Sequence, residues 1–303
     1  MRVAILGANG HLSKCALWVF AQNAGNTIYL FSRNPSRIDC SHYAEYPCKK
    51  ISAHSYEEFC SKRYDVIFNG VGSWDARELE PKHIFRVTEQ YDNMVLDYQI
   101  EHPDSVSIHI SSGAVYAGDY MCAVDDQSES RFRLNHIQVG DYYSIAKIHS
   151  EVKHRAFPEL SIVDIRLFGF FSRFMSLDYP YFLSAIIKAI RNRTEFAVVD
   201  GEFWRDYIHL DDFAMLCHNI VENAQHRTIN MAVDVISKEP ISKSEMLMFF
   251  QQTYGLKLAR QSSSVEISRT GLKTYYYSQR RNEIYTPQYT SLETLKKEIK
   301  YFL

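Results

Sequence analysis

Tyr143 and Lys147 stand four residues apart in the segment GDYYSIAK (140–147). On a helix that spacing puts both side chains on one face, one turn above the other. Tyr142 is five from Lys147 and does not align, so a pair is Tyr143 with Lys147. The chemistry on offer is proton transfer. A free phenol ionises near pH ~10, too high to trade protons easily near neutrality. An ammonium one turn away favours the phenolate and is expected to lower that value. In a chain with 21 tyrosines the pair alone is a weak signal, but two other stretches agree with it. SSGAVYAG (111–118) closes an apolar run that reads as a strand. A hydroxyl there can donate to a carbonyl oxygen, where negative charge grows as hydride arrives. GANGHLS (7–13) follows the short apolar run RVAIL. A glycine turn between strand and helix lets the backbone approach a pyrophosphate and aims helix N–H groups at it.

The elements that must position these residues follow from periodicity. Strands are predicted at 2–6, 27–31, 64–72, 105–112 and 160–170. Helices are predicted after the glycine turn (ending at Gly25), over 84–101, and from about Tyr143. Strands alternating with helices imply an α/β fold with a parallel, doubly wound, Rossmann-like sheet, which binds ligands at the carboxyl ends of its strands. Beyond about residue 170 the alternation weakens. There 181–193 reads as helix, 196–200 as strand, 241–255 as a helix stopped by Gly255, and the tail TSLETLKKEIKYFL as a last amphipathic helix. The expected organisation is a dinucleotide-binding domain over 1–168, completed by parts of 206–235. A smaller α/β substrate-binding domain, 169–303, is interleaved with it.

Composition narrows the classes of function. The 34 Lys+Arg nearly cancel the 36 Asp+Glu, and no block of like charge stands out, which argues against nucleic-acid or anionic-membrane partners. No apolar run approaches a membrane span, and MRVAILGANG lacks the apolar core of a signal peptide. Six cysteines at 15, 40, 48, 60, 122 and 217 show no metal-binding spacing and read as free thiols in a reducing compartment. A cytoplasmic protein without a metal is expected.

Together the motifs resemble the extended short-chain dehydrogenase/reductase family of nucleotide-sugar epimerases, dehydratases and reductases, nearly end to end. Gly7 and Gly10 keep that family's glycine spacing, with Ser13 in place of the third glycine. SSGAVYAG is similar to its Ser-Ser-x-x-Val-Tyr-Gly, IRLFGFF to its Leu-Arg-x-Phe-Asn-Val-Tyr, and WRDYIHLDDFA (204–214) to its Arg-Asp-Tyr-Ile-His-Val-Asp-Asp. The resemblance implies a catalytic set of Ser112, Tyr143 and Lys147. It implies cofactor contacts from Gly7, Asn9, Gly10, His11, Leu12, Ser32, Arg33, Arg37, Asn69, Gly70 and Val71, besides Tyr143 and Lys147. Substrate contacts are implied for Ser112, Gly113, Ala114, Arg205 and Arg280. Arg205 would take the sugar nucleotide's diphosphate, a role suited to a guanidinium fork; an ion pair with Asp206 or Asp211 is the plainer alternative.

Within the resemblance, the 4,6-dehydratases carry Asp and Glu after the catalytic hydroxyl, where this chain has Gly113 and Ala114. GDP-fucose synthase carries Cys at the position of Ala114 and His near Phe174. Neither acid/base set is present, which leaves ketone reduction or 4-epimerisation through a transient ketone. NAD-using relatives close the second strand with a carboxylate for the ribose 2′-hydroxyl. FSRNPSR offers Ser32, Arg33 and Arg37 instead, and these suit the 2′-phosphate of NADP(H). The expected activity is an NADPH-dependent reductase of a nucleotide-linked 4-keto-6-deoxyhexose serving surface polysaccharide. The alternatives are an NAD-dependent nucleotide-sugar 4-epimerase and a non-catalytic binding module. The helices at 84–101 and from Tyr143 pair across a dimer axis in many relatives, so a homodimer with a four-helix bundle is expected.

Overall fold

A computed structural model describes residues 1–72, 83–118, 120–198, 200–260 and 273–303. Apolar runs bounded by turn residues form the first strands, β1 (Arg2–Leu6), β2 (Thr27–Phe31), β3 (Lys50–His54) and β4 (Val66–Asn69), with α1 (His11–Ala21) between β1 and β2. Next come α2 (Ile84–Glu101), β5 (Val106–Ser112), α3 (Tyr142–Arg155) and β6 (Ser161–Leu167). The fold is the doubly wound α/β sheet that the alternation of elements implies. Seven parallel strands lie in the order β3-β2-β1-β4-β5-β6-β9, where β9 is Asn230–Val235. The order reverses between β1 and β4, so Gly7 and Gly70 end up beside one another where such sheets take ligands.

Within that frame several boundaries move. β3 had no place among the predicted strands: its side chains are only partly covered at the sheet's edge, so its sequence carries no continuous apolar signal. β4 stops at Asn69 because the chain turns through Gly70–Gly72, with Gly72 at φ 93°. β6 stops at Leu167, and Gly169 packs against the next segment so closely that a Cβ there would lie 2.4 Å from the Asp206 carbonyl oxygen.

The remaining elements are α4 (Phe182–Asn192), β7 (Glu195–Val198), β8 (Trp204–Arg205) and α5 (Leu210–His226), then β10 (Ile241–Ser242), α6 (Lys243–Tyr254), β11 (Lys257–Arg260), β12 (Tyr275–Tyr276) and α7 (Ser291–Glu298). The strand predicted at 196–200 is shorter than its apolar run, and its Val199 lies outside the described residues. α5 packs against α1 in the main core. A second core gathers Phe171, Leu183, Ile186, Met246, Phe250 and Leu295, with Ile241 of β10, and a three-stranded sheet is ordered β10-β8-β12. Ser242 with Glu245, and Thr290 with Glu293, form capping boxes that start α6 and α7. Gly255 ends α6 at φ 67°, a left-handed conformation that costs glycine little.

Candidate active site

The glycine turn is built for close approach. Gly7 adopts φ 69°, and α1 begins at His11 with Gly10 as its cap and no side-chain oxygen on its first-turn N–H groups. That arrangement fits the pyrophosphate of a dinucleotide, whose negative charge the helix N-terminus favours. Ser13, the departure from the family's glycine spacing, is buried and donates to the Leu6 carbonyl at 2.9 Å. The room a third glycine would leave is provided by Gly70 instead, where an added Cβ would fall 2.2 Å from the Ser13 hydroxyl. Ser32 follows β2 and accepts from the Asn9 amide at 3.2 Å, so the turn after β1 is tied to the turn after β2. Arg33 and Arg37 are exposed just beyond.

β5 delivers Ser112 and α3 delivers Tyr143 and Lys147. The Ser112 hydroxyl is close enough to Tyr143 to act on its phenol, accepts from the Ala114 N–H at 3.2 Å, and lies 3.2 Å from the Tyr276 hydroxyl. The structure thus brings the three expected residues together. The electrostatics differ from expectation. Burial, helped by the neighbouring Tyr276, pushes the Tyr143 phenol up to about 12 against the pull of the Ser112 hydroxyl. Lys147 does not reverse this. Its ammonium donates to the Ile110 carbonyl at 2.6 Å and lies 6.0 Å from the centre of the Tyr143 ring. Burial pulls its own pKa down, while Asp92, Asp164 and Glu151 oppose the fall.

Gly113 and Ala114 cannot host the acids of a dehydratase here. A Cβ on Gly113 would meet the Phe168 ring at 2.3 Å, and Ala114 is buried.

Beneath Lys147 lies a buried polar cluster with no counterpart in the sequence reading. His154 faces Asp164 through Nδ1 at 2.9 Å and Asp92 through Nε2 at 3.0 Å. His109 lies 3.2 Å from Asp92 and Lys153 2.5 Å from it. Burial alone would discharge His154, but the hydrogen bonds it donates to both carboxylates hold its pKa at about 9. The Asp92, His109 and His154 donor atoms lie within 4.8 Å of one another. Both ring nitrogens of His154 already face carboxylates, so the ring is held as a cation. A cavity of about 10 Å³, the size of one water, separates the cluster from Lys147.

From the glycine turn a cleft of about 470 Å³ runs to the smaller unit, lined by Gly10, His11, Leu12 and Gly70 at one end and by Arg205, Lys273 and Tyr276 at the other. Arg205 makes neither alternative ion pair. Its guanidinium donates to the Trp204 and Lys273 carbonyls at 2.7 Å each, while Asp206 accepts from Ser237 and Ser291. Arg280 stands apart from the cleft lining, bonded to Asp126 at 2.9 Å and to the Tyr116 hydroxyl at 2.7 Å. Lys273 and Tyr276 were not singled out in sequence. Their only signal is a lysine three residues before a tyrosine in LKTYYYSQ, where β alternation turns Tyr276 inward.

Comparison with known proteins agrees with this geometry. Residues 3–232 match the model of the family described as NAD dependent epimerase/dehydratase. No curated protein matches the chain in sequence. Among solved structures, the UDP-N-acetylglucosamine 4-epimerase of Methanobrevibacter ruminantium in complex with UDP-N-acetylmuramic acid superposes with a TM-score of 0.81 at 16% identity, covering 99% of this chain and 97% of that one. The UDP-glucuronic acid 4-epimerase of Bacillus cereus, in complex with UDP-glucuronic acid and NAD, gives 0.77 at 15%, covering 100% and 99%. The dTDP-glucose 4,6-dehydratase of Bacillus anthracis, in complex with NAD, gives 0.75 at 12%, covering 100% and 96%. At these identities the likeness is one of fold.

Proposed function

Because the chain belongs to the NAD dependent epimerase/dehydratase family, we propose that it oxidises and re-reduces C4 of a nucleotide-linked sugar, acting as a 4-epimerase. The observation that carries this reading is a proton-transfer set, Ser112, Tyr143 and Lys147, beside two positions that exclude a second acid and base. Such a set suits chemistry at one carbon–oxygen bond. A nicotinamide dinucleotide held by the glycine turn would supply the hydride chemistry at C4. Tyr143, once ionised to the phenolate, would accept the C4 hydroxyl proton and give it back, and Ser112 would hold the oxygen while charge develops on it. Lys147, anchored on Ile110, would supply positive charge beneath the ring. Gly7, Asn9, Gly10, His11, Leu12 and Asn69–Val71 would hold the dinucleotide, and Arg205 the substrate's diphosphate. An epimerase must let its ketone turn over before hydride returns. Phe168, Phe170, Met175, Phe182 and Leu183 give the cleft an apolar wall against which the sugar ring can turn.

A second reading, the NADPH-dependent reductase of a 4-keto-6-deoxyhexose, is favoured by one observation: Ser32 and Arg33, with no carboxylate, follow β2. One measurement separates the two. An epimerase turns over many equivalents of UDP-, GDP-, CDP- or dTDP-sugar on bound NAD with no net change in absorbance at the nicotinamide band. Stoichiometric loss of added NADPH with 4-keto-6-deoxy sugars, and no epimerisation, would overturn the proposal in favour of the reductase.

A further inference from the structure

Two cations share the far end of the cleft, and among the described residues lining it there is no carboxylate. Arg205 spends its hydrogen bonds on backbone carbonyls and packs over the Phe203 ring at 4.3 Å. Lys273 is partly buried, and its ammonium has aromatic faces for company, Tyr276 at 4.0 Å and Tyr120 at 5.1 Å. No carboxylate pairs with either cation among the described residues. Burial and the neighbouring Arg205 both disfavour the Lys273 charge and bring its pKa down to about 8. A charge taken from water is tolerated when it is paired, and two like charges side by side ask for an anion between or before them.

Their order along the cleft indicates which anion each meets. The ring over which Lys273 lies ends in the Tyr276 hydroxyl, 3.2 Å from Ser112 Oγ, so this ammonium is one ring away from the reacting hydroxyls. Arg205 is farther from the same ring, at 6.0 Å. In a nucleotide sugar the diphosphate leaves from C1, across the pyranose from C4, while the C6 group is attached next to C4. The cation nearer the C4 site therefore faces C6, and the one farther away faces the diphosphate.

We propose that Lys273 recognises a carboxylate carried by the sugar beside the reacting carbon, so that the substrate is a nucleotide-linked uronic acid or an equally acidic sugar. This rests on the nucleotide-sugar reading above and sharpens it, because the C6 methyl of a 6-deoxy sugar would leave the ammonium unpaired.

The test is calorimetric. The best-bound of UDP, CDP, GDP and dTDP is found first, and its glucose and glucuronate conjugates are then titrated into wild type, Lys273→Met and Lys273→Arg. Methionine keeps the length and the apolar contact with Tyr276. Wild type should hold the glucuronate conjugate roughly tenfold or more tighter than the glucose conjugate, the scale of a charge-assisted hydrogen bond. Lys273→Arg should keep that preference. Lys273→Met should erase it, with the bare nucleotide bound as before and an unchanged melting curve. Equal affinity of wild type for both sugars would overturn the inference while leaving the nucleotide-sugar reading intact. A Lys273→Met loss equal for bare nucleotide and glucuronate conjugate would overturn it too, making Lys273 a diphosphate ligand. Binding of none of the four nucleotides would remove the broader reading itself.

Discussion

At the scale of residues, the Tyr143 hydroxyl is a weaker acid than a free phenol, so it must shed its own proton before it can take that of the C4 hydroxyl. Removing only that hydroxyl should therefore remove the proton donor and little else. Tyr143→Phe is expected to lose at least ~100-fold in turnover, the usual scale of general acid–base catalysis, with an unchanged melting temperature. Tyr142 packs on Phe85 at 5.6 Å, and Tyr142→Phe should keep activity near wild type; steady-state kinetics on the pair checks both. If Arg33 serves a 2′-phosphate, Arg33→Ala should weaken NADPH roughly ten- to a hundredfold and NADH far less. Equal losses in a fluorescence titration would make Arg33 a residue of the loop alone. Ser112, Tyr143 and Lys147 were legible because their types and spacing encode a local chemistry. Lys273 and Tyr276 were not, because their place in the cleft beside Arg205 becomes visible only once β12 is laid beside β8.

At the scale of elements, α2, α3, β5 and β6 meet through the charge cluster under Lys147, with Asp92, His109, His154 and Asp164 facing one another and Lys147, Lys153 and Arg155 at its margin. Replacing His154 with Gln leaves Asp92 with Lys153 and Asp164 with Arg155 as their remaining cations, and a loss of about 1–3 kcal/mol is expected. The sign of its pH dependence follows from the raised folded pKa of about 9 against an unfolded 6.5. The contribution is fully present below 6.5 and fades as pH climbs through 9. Urea unfolding of wild type and His154→Gln should show their stability difference shrinking across that window. A constant difference would mean that His154 acts by shape alone. The helices were readable from their apolar periods and stops, as with Gly255 after α6. β3 was not, since an edge strand with half-covered faces leaves no such period. The histidine cluster leaves no sequence motif because its members come one each from four elements and meet only when the sheet and helices pack.

At the scale of the whole molecule, the apolar side of the helix expected to pair across a dimer axis is largely used within the chain: Ile84, Tyr91, Val95 and Tyr98 of α2 are buried. What remains outside includes Ile100 and Val152, at 51% and 64% exposure. The expected four-helix bundle would have to cover these. Sedimentation of tag-free protein at micromolar concentration should show a dimer; a fully active monomer there would remove the requirement. Among the described residues no helix is long and apolar enough to cross a membrane. The sheet's own closing strand has a consequence for how the chain is made. When β6 has emerged from the ribosome, its outer edge stays open until β9 arrives, because Ile162 through Leu167 pair with Asn230 through Val235. Roughly 60 residues separate the two, about 3–12 s of translation at roughly 5–20 residues per second. During those seconds the nascent chain presents a bare, apolar parallel edge, the feature that most invites pairing with another chain. Slow codons between 168 and 229 should therefore lower the soluble yield, and a chaperone that shields that edge should restore it.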